Sequence, residues 1–171
     1  MSYRDYVRIH KALGKLPEYF NATCEEDCPP DEIPKKGVYF FYEEGEYYQD
    51  QHGKKYPRIV YVGRGVADSG LITRLRRHCR FKSWSDLSSL QGHILEALNP
   101  RGDNQTQLSV LQEEMQSRFY FRVLGCKTKQ RALKVEKALI AHLIPYSYHF
   151  ASKDKGTLWL GFKEKPTEIS N

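Results

Sequence analysis

The segment RIVYVGRGVADSGLITRLRRHCR, residues 58–80, constrains the fold more strongly than any other part of the sequence. It opens with a β-branched and aromatic run that predicts a buried strand, and it ends in a cationic stretch with leucines at helical spacing. Two glycines around Arg64 join these halves by a turn. A second strand-like run, GVYFFYEEGEYY at residues 37–48, precedes this segment. The two runs predict an antiparallel hairpin with EEGE as a turn and an elaborated, polar return.

The remaining elements predict a mixed α+β domain. A third strand is indicated at residues 118–125, where apolar residues alternate. Apolar spacing and capping residues predict helices over Tyr3–Leu13, from about Leu71 to Arg80 after an Asp68 or Ser69 cap, over 85–98, over 108–116, and over 129–143 after a Thr128 cap. We therefore expect a small antiparallel or mixed three-stranded sheet flanked by helices. Residues 1–35 are predicted to form an N-terminal helical and loop appendage, and residues 36–171 the main domain with a C-terminal extension.

The distribution of charge favours an anionic partner. The chain of 171 residues has a net charge of +6 and a pI near 9.1. Between Arg64 and Lys82 there are six lysines and arginines against the single acid Asp68, which concentrates positive potential in one segment. No apolar run reaches the roughly 20 residues of a membrane span, and the N-terminus lacks the apolar core of a secretory signal. We expect a cytoplasmic protein that does not bind membranes.

The cysteines do not predict a metal site. Cys24 and Cys28 lie close together, whereas Cys79 and Cys126 stand alone, and the two-residue spacing that is usual in zinc sites is absent. We expect reduced thiols, as in most cytoplasmic proteins.

Glu136 is the carboxylate most in need of a partner. The helix predicted over 129–143 has a broad apolar face, and Glu136 falls within it. A carboxylate that is buried without a partner costs several kcal/mol, so Glu136 needs a cation, a metal or strong donors. The alternative is that Glu136 lies at the margin of this face and pairs with Lys137 or Arg131, or reaches water.

The basic helix places two polar residues on an apolar side. Leu71, Arg74 and His78 share one face at i, i+3 and i+7, so Arg74 and His78 should project together. Arginine suits phosphate because its planar guanidinium binds a phosphoryl group through two hydrogen bonds and stays charged. The alternatives are a solvated basic helix and a structural histidine that bonds a backbone carbonyl.

Four sequence elements follow one another along the chain. They are Gly37-Val38-Tyr39 on the first strand, Tyr61-Val62-Gly63 on the second, the pattern L-x-x-R-x-x-x-H from Leu71 to His78 on the basic helix, and Glu136 on the later helix. In this order, and on these elements, they resemble the GIY-YIG endonucleases. The resemblance covers residues 36–145, about two thirds of the chain.

The resemblance implies a phosphodiesterase that acts on DNA with one divalent cation, Mg²⁺ or Mn²⁺, in each active site. It implies that Glu136 is the metal ligand and that Arg74 neutralises charge on the scissile phosphate. Tyr39 would face the attacking water as general base or relay, and Tyr61 would hydrogen-bond the water or the phosphate. An unperturbed tyrosine titrates at about 10, so Tyr39 needs help, and His78 is the expected proton acceptor.

Other basic residues are expected to bind the substrate. They are Arg64, Arg76, Arg77, Arg80 and His149. The family usually has an asparagine soon after the helix that carries the glutamate, but no Asn occurs between Pro145 and Gly156. His149, or else Ser147, is the expected substitute.

Three interpretations of the function remain, one of them a domain that does not bind nucleic acid and whose basic helix is only a solvated face. Tyr39 and Tyr61 are 22 positions apart, as in long-hairpin members that resemble restriction enzymes, where such inserts can contact DNA. This favours a restriction-type endonuclease, which would cleave both strands as a homodimer or by sequential nicking. The missing asparagine motivates the alternative, a catalytically weak nucleic-acid-binding module that retains the nuclease fold.

Overall fold

The computed structural model describes residues 3–20, 32–49, 53–66, 70–79 and 83–143. The described helices are α1 (Tyr3–Leu13), α2 (Gly70–Cys79), α3 (Ser89–Leu98), α4 (Asn104–Arg118) and α5 (Lys129–Leu143). The described strands are β1 (Glu18–Phe20), β2 (Gly37–Gln49), β3 (Lys55–Gly65) and β4 (Phe119–Gly125). The predicted α+β fold, an antiparallel sheet flanked by helices, is confirmed.

Within the described residues the sheet has four strands rather than the predicted three. Its order is β1-β4-β2-β3, and every neighbouring pair is antiparallel. The additional edge strand β1 pairs with β4, whose Arg122 donates hydrogen bonds to the carbonyls of Gly14 and Leu16 and forms an ion pair with Glu18. Part of the predicted N-terminal appendage therefore belongs to the sheet, and the domain boundary at residue 35 stays a prediction.

The hairpin of β2 and β3 continues past the expected turn. The prediction of a turn at EEGE is wrong, because β2 runs through these residues and pairs with β3 again from Tyr47 opposite Pro57. The register shifts between Tyr42 and Tyr47, where Gly45 has a φ of 77° that suits glycine. Glu43 is buried at the start of this bulge and forms an ion pair with Arg118 at the end of α4, which compensates the buried charge. The acidic run is therefore a bulge in a long strand.

The two faces of the sheet carry separate cores. Residues alternate along the strands, so Tyr39, Phe41 and Tyr61 lie in a core formed with apolar residues of α2, α3 and α4. The intervening residues Val38 and Phe40 lie in the other core, which includes residues of α1 and α5. Both tyrosines of the quoted tripeptides consequently belong to the core that contains α2.

Side-chain caps begin three of the helices. Ser88 and Gln91 form a reciprocal capping box at α3, and Asp103 accepts a hydrogen bond from the Thr106 amide at α4. The Thr128 hydroxyl accepts from the Arg131 amide, which confirms the predicted cap of α5.

Several predictions fall on residues that the structure does not describe. They concern the Asp68 or Ser69 cap, Cys24, Cys28, Arg80, Ser147, His149 and the C-terminal extension. Within the described ranges, none of the helices has the length and apolar character required to span a membrane.

Candidate active site

The glycines of the two tripeptides allow close packing around Tyr39. In the β2–β3 ladder Tyr39 lies opposite Gly63, and the phenol ring covers that glycine. A Cβ atom added at Gly63 would lie 2.4 Å from both Cζ and Oη of Tyr39. At Gly37 a Cβ atom would lie 2.4 Å from the carbonyl oxygen of Leu124 on β4. These two positions therefore require glycine because neighbouring atoms occupy the space of a side chain.

An aromatic group surrounds His78. The ring centroid of His78 lies 5.3 Å from that of Tyr39, 5.5 Å from that of Tyr61 and 5.2 Å from that of Phe41. The centroids of Tyr39 and Tyr61 are 6.1 Å apart. The hairpin and α2 thus bring together three residues predicted for the site, and His78 lies behind the two phenols with no exposed surface.

Both ring nitrogens of His78 have hydrogen-bond partners. Nε2 lies 2.7 Å from the Tyr39 hydroxyl, and Nδ1 lies 2.8 Å from the hydroxyl of Ser88 at the start of α3. Burial lowers the pKa of His78 to about 3, and the positive charge of Arg74 acts in the same direction. His78 is therefore a neutral imidazole at physiological pH, and its partners are the hydroxyls of Tyr39 and Ser88 rather than a backbone carbonyl.

Arg74 is the cation next to the phenols. Burial raises the pKa of Tyr39 far above its ordinary value, and neighbouring Tyr61 raises it further. Arg74 acts in the opposite direction, through its charge and through a hydrogen bond to Tyr39. It also interacts with Tyr61. Tyr39 is consequently protonated in the protein, and a guanidinium is held beside its oxygen.

Glu136 meets Arg64, which lies 72 positions away in the sequence. The carboxylate side chain is 12% exposed and forms an ion pair with the Arg64 guanidinium at the end of β3. The carboxylate that the sequence places on the apolar face of α5 is therefore paired with a cation. That cation is Arg64 and neither Lys137 nor Arg131. The helix on one side of the sheet thereby delivers a carboxylate to the strand that carries Tyr61.

One open pocket of about 370 Å³ joins these groups. Among the predicted site residues, its lining includes Tyr39, Tyr61, Arg64, Arg74, Arg77 and Glu136. Arg76 does not line this pocket. Tyr39, Tyr61, Arg74 and Glu136 are called the pocket cluster below. Thr73 also lines the pocket and Ser88 supports His78, but neither residue was predicted from the sequence.

A family comparison agrees with this geometry. The family model described as GIY-YIG domain matches residues 2–109, which is more than half of the chain. The chain belongs to the GIY-YIG family. Comparison with curated proteins and with solved structures gives no significant match.

GIY-YIG domains are nuclease domains, so membership supports a nuclease that acts on DNA. The matched range contains both tripeptides, Arg74 and His78, whereas Glu136 lies beyond it. Glu136 borders the same pocket as Tyr39, Tyr61 and Arg74.

The donor set fits a hard divalent cation better than zinc. In the described part of the chain no three His, Cys, Asp or Glu side chains form a group that could hold a metal. Mg²⁺ is commonly bound through one or two carboxylates and keeps several waters, whereas structural zinc needs four protein ligands. GIY-YIG nucleases generally use divalent metal ions, and Glu136 on an open pocket is compatible with such an ion.

Proposed function

We propose that this protein is a metal-dependent endonuclease that hydrolyses phosphodiester bonds in DNA. The observation that carries this proposal is the pocket cluster, in which two phenols, a guanidinium and a carboxylate border one open pocket. Hydrolysis of a phosphodiester requires a positioned water and compensation for negative charge on the phosphoryl oxygens. The pocket cluster offers groups of both kinds.

Glu136 is the proposed ligand of one Mg²⁺ or Mn²⁺ ion. Such an ion supplies Lewis-acid stabilisation of the phosphoryl oxygens and orients the substrate. Its binding competes with the ion pair between Glu136 and Arg64, because the guanidinium occupies the same carboxylate. Arg64, once released, would be available to bind a phosphate of the substrate.

Arg74 is the proposed electrostatic catalyst. Its guanidinium lines the pocket beside both phenols, where it can stabilise the negative charge that develops on the phosphate. Tyr61 is proposed to hydrogen-bond the attacking water or the phosphate. Arg77 lines the same pocket and would bind a neighbouring phosphate. Arg76, Arg80 and His149 remain proposed substrate-binding residues.

Tyr39 and His78 form the proposed proton relay. As water attacks phosphorus, a new P–O bond forms and the bond to the leaving oxygen breaks. The water loses its proton to Tyr39 Oη while the proton of Tyr39 moves to His78 Nε2, across a hydrogen bond of 2.7 Å. The leaving oxygen takes a proton from solvent. After product release His78 returns its proton to Tyr39 Oη while Tyr39 gives the proton gained from the attacking water to solvent in the pocket, which restores the starting state.

The pKa values favour a relay that is coupled to attack. The pKa of Tyr39 is raised and that of His78 is lowered by burial, so a tyrosinate does not form in advance. The negative charge of a bound phosphate would raise the pKa of His78, because it stabilises the imidazolium.

The extended hairpin supports a restriction-type role. Strands β2 and β3 continue beyond the bulge, and the basic residues Lys54, Lys55 and Arg58 lie near two tyrosines there. Such a surface can contact DNA outside the scissile position. With one proposed active site in each chain, cleavage of both strands would require a homodimer or two successive nicks.

The direct test is plasmid cleavage with purified protein. Wild type, Glu136→Ala and Arg74→Ala are incubated with supercoiled DNA and Mg²⁺ or Mn²⁺, beside an EDTA control and a structured RNA. We expect nicked or linear DNA from wild type with metal, and no product from Glu136→Ala. Products mapped at nucleotide resolution would give the recognition site and the cleavage pattern.

Two outcomes would change the proposal. Cleavage that both variants retain would refute the assignment of the site. DNA binding by all three proteins without cleavage under any metal condition would favour the alternative, a binding module that retains the nuclease fold.

A further inference from the structure

A series of hydrogen bonds leads from the pocket to the start of α3. From Tyr39 it passes through His78 to Ser88, and the oxygen of Ser88 also accepts from the Gln91 amide at 3.4 Å. The Gln91 side chain accepts from the Ser88 amide at 2.7 Å and donates to the carbonyls of Arg77 and His78. Gln91 is fully buried, so one side chain ties the end of α2 to the start of α3.

A neutral imidazole can occupy this place in two tautomers. With the proton on Nδ1, His78 donates to Ser88, and Nε2 accepts from the Tyr39 hydroxyl. With the proton on Nε2, His78 donates to Tyr39 instead and requires a proton from Ser88. Only the first tautomer can take a proton from Tyr39, so the choice between them decides whether a relay exists.

The surroundings favour the first tautomer. Arg74 hydrogen-bonds Tyr39, and a guanidinium can only donate, so the phenol oxygen already acts as an acceptor there. The proton of Tyr39 then has two neighbouring acceptors, the Tyr61 hydroxyl and His78 Nε2. Nε2 lies at 2.7 Å and an imidazole nitrogen is the stronger base, so the proton is directed toward it. Ser88 has two lone pairs, one for the Gln91 amide and one for Nδ1–H.

We propose that Ser88 is a positioning residue for the nuclease reaction: its hydroxyl oxygen accepts from His78 Nδ1–H and thereby keeps Nε2 free to accept the proton of Tyr39. The capping box with Gln91 holds Ser88 in this place. This role rests on the proposed function, because it matters only if Tyr39 and His78 carry the proton of the attacking water.

The test combines nitrogen NMR of His78 with cleavage kinetics. In the metal-free wild type at neutral pH, the ¹⁵N shifts should report a protonated Nδ1 and an unprotonated Nε2. In Ser88→Ala the Nε2–H form should gain population, and kcat should fall by about tenfold or more with KM unchanged, since general-base catalysis is worth on the order of 10²-fold. Ser88→Thr keeps the hydroxyl and should restore both the shifts and kcat.

A matched control separates positioning from loss of a helix cap. Ser88→Ala removes an N-cap, which costs about 1 kcal/mol of stability. Asp103→Ala removes the fully exposed side chain that caps the N-terminus of α4. This variant should leave kcat and the His78 shifts unchanged. A kcat loss in Asp103→Ala equal to that in Ser88→Ala would overturn the proposal.

The two proposals fail differently. Protonated Nε2 in wild type would overturn the role of Ser88 even if the protein cleaves DNA and Glu136→Ala does not. Absence of cleavage by wild type would overturn the proposed function, whatever tautomer His78 adopts.

Discussion

Two clusters in this molecule combine arginine, tyrosine and glutamate. The first is the pocket cluster. The second, here called the closed cluster, consists of Glu18, Tyr42, Tyr120 and Arg122, with both tyrosines in the core on the opposite face of the sheet from Tyr39. In the closed cluster the rings of Tyr42 and Tyr120 stack with centroids 4.9 Å apart, and Arg122 lies over Tyr42 at 5.6 Å.

The clusters differ in what their arginines can reach. Arg122 is 7% exposed and donates to carbonyls of the chain itself at 2.5 and 2.7 Å, besides its ion pair with Glu18. Arg74 borders an open pocket where a ligand can enter. The same residue types therefore secure a strand on one face and form a candidate site on the other. Access for a ligand, rather than composition, distinguishes the two clusters.

The largest expected contrast comes from removing each arginine in turn. Arg74→Ala should lower the cleavage rate by about 10²- to 10³-fold, the effect of losing one transition-state donor, with little change in thermal stability. Arg122→Ala should lower the free energy of unfolding by about 1–3 kcal/mol, because a mostly buried side chain loses its hydrogen bonds to the carbonyls of Gly14 and Leu16 and its contact with the Tyr42 ring. Calorimetry and initial cleavage rates of both variants measure the contrast. Equal effects of the two variants on the cleavage rate and on stability would show that the two clusters do not differ in role.

Acid should destabilise the folded protein through two buried histidines, His78 in α2 and His10 in α1. Burial lowers the pKa of His78 to about 3 and that of His10 in α1 to about 4, from 6.5. As the pH falls below 6.5 the unfolded chain binds protons first, so stability that is present above this pH is lost on the way to pH 4. We expect a loss of about 2 kcal/mol for each histidine between pH 7 and pH 5.

Urea unfolding at a series of pH values checks this expectation. His10→Gln should remove about half of the pH dependence of stability and leave cleavage unchanged, because His10 is outside the pocket. A pH dependence that His10→Gln does not alter would show that His10 has the same pKa in the folded and the unfolded protein.

The packing of Tyr39 on Gly63 predicts a third contrast. Gly63→Ala places a Cβ atom against the phenol and should cost about 1–3 kcal/mol of stability while displacing Tyr39 and slowing cleavage. Gly92→Ala is the matched control, because a Cβ atom there has no neighbour within 4 Å and alanine favours a helix interior over glycine. Thermal unfolding and cleavage rates compare the two. Full activity of Gly63→Ala would contradict the described position of Tyr39.

The smallest expected effect concerns the ion pair of Arg64 and Glu136. Arg64 is 39% exposed, so its pairing with Glu136 is screened by solvent. Arg64→Ala should tighten Mn²⁺ binding to the DNA-free protein by about twofold to fivefold, as calorimetry or electron paramagnetic resonance can measure. Arg77→Ala removes a charge from the same pocket without touching this pair and serves as the control. An equal effect of both variants would assign the change to net charge alone.

The sequence predicts the helices and strands whose hydrophobic residues recur with a clear periodicity. Helix α1 has the predicted bounds Tyr3–Leu13, and the stripe of α5 and its Thr128 cap are as expected. Tyr39, Tyr61, Arg74 and Glu136 were singled out from the sequence because the tripeptides and the helix pattern stand on predictable elements, and all four border one pocket, whereas their roles stay predictions. Their arrangement around one pocket follows from the antiparallel hairpin and the short connection to α2.

The features that were missed depend on distant partners. Strand β1 has three residues and too little periodicity for prediction, and Arg122, more than 100 positions away, helps to hold it. The acidic run at Glu43 resembles a turn until Arg118, 75 positions away, neutralises the buried carboxylate. The Ser88 to Gln91 spacing is a capping-box signature, but contact of its hydroxyl with His78 arises only in the folded chain.

The most direct test compares two tyrosines of one strand. Tyr39 and Tyr42 are both buried on β2, but Tyr39 borders the pocket and Tyr42 belongs to the closed cluster. Under single-turnover conditions with Mg²⁺, Tyr39→Phe should lower the rate of DNA cleavage by at least about 10²-fold, whereas Tyr42→Phe should cleave at the wild-type rate. Unchanged cleavage by Tyr39→Phe, or an equal loss in both variants, would contradict the claim that the pocket cluster is the active site.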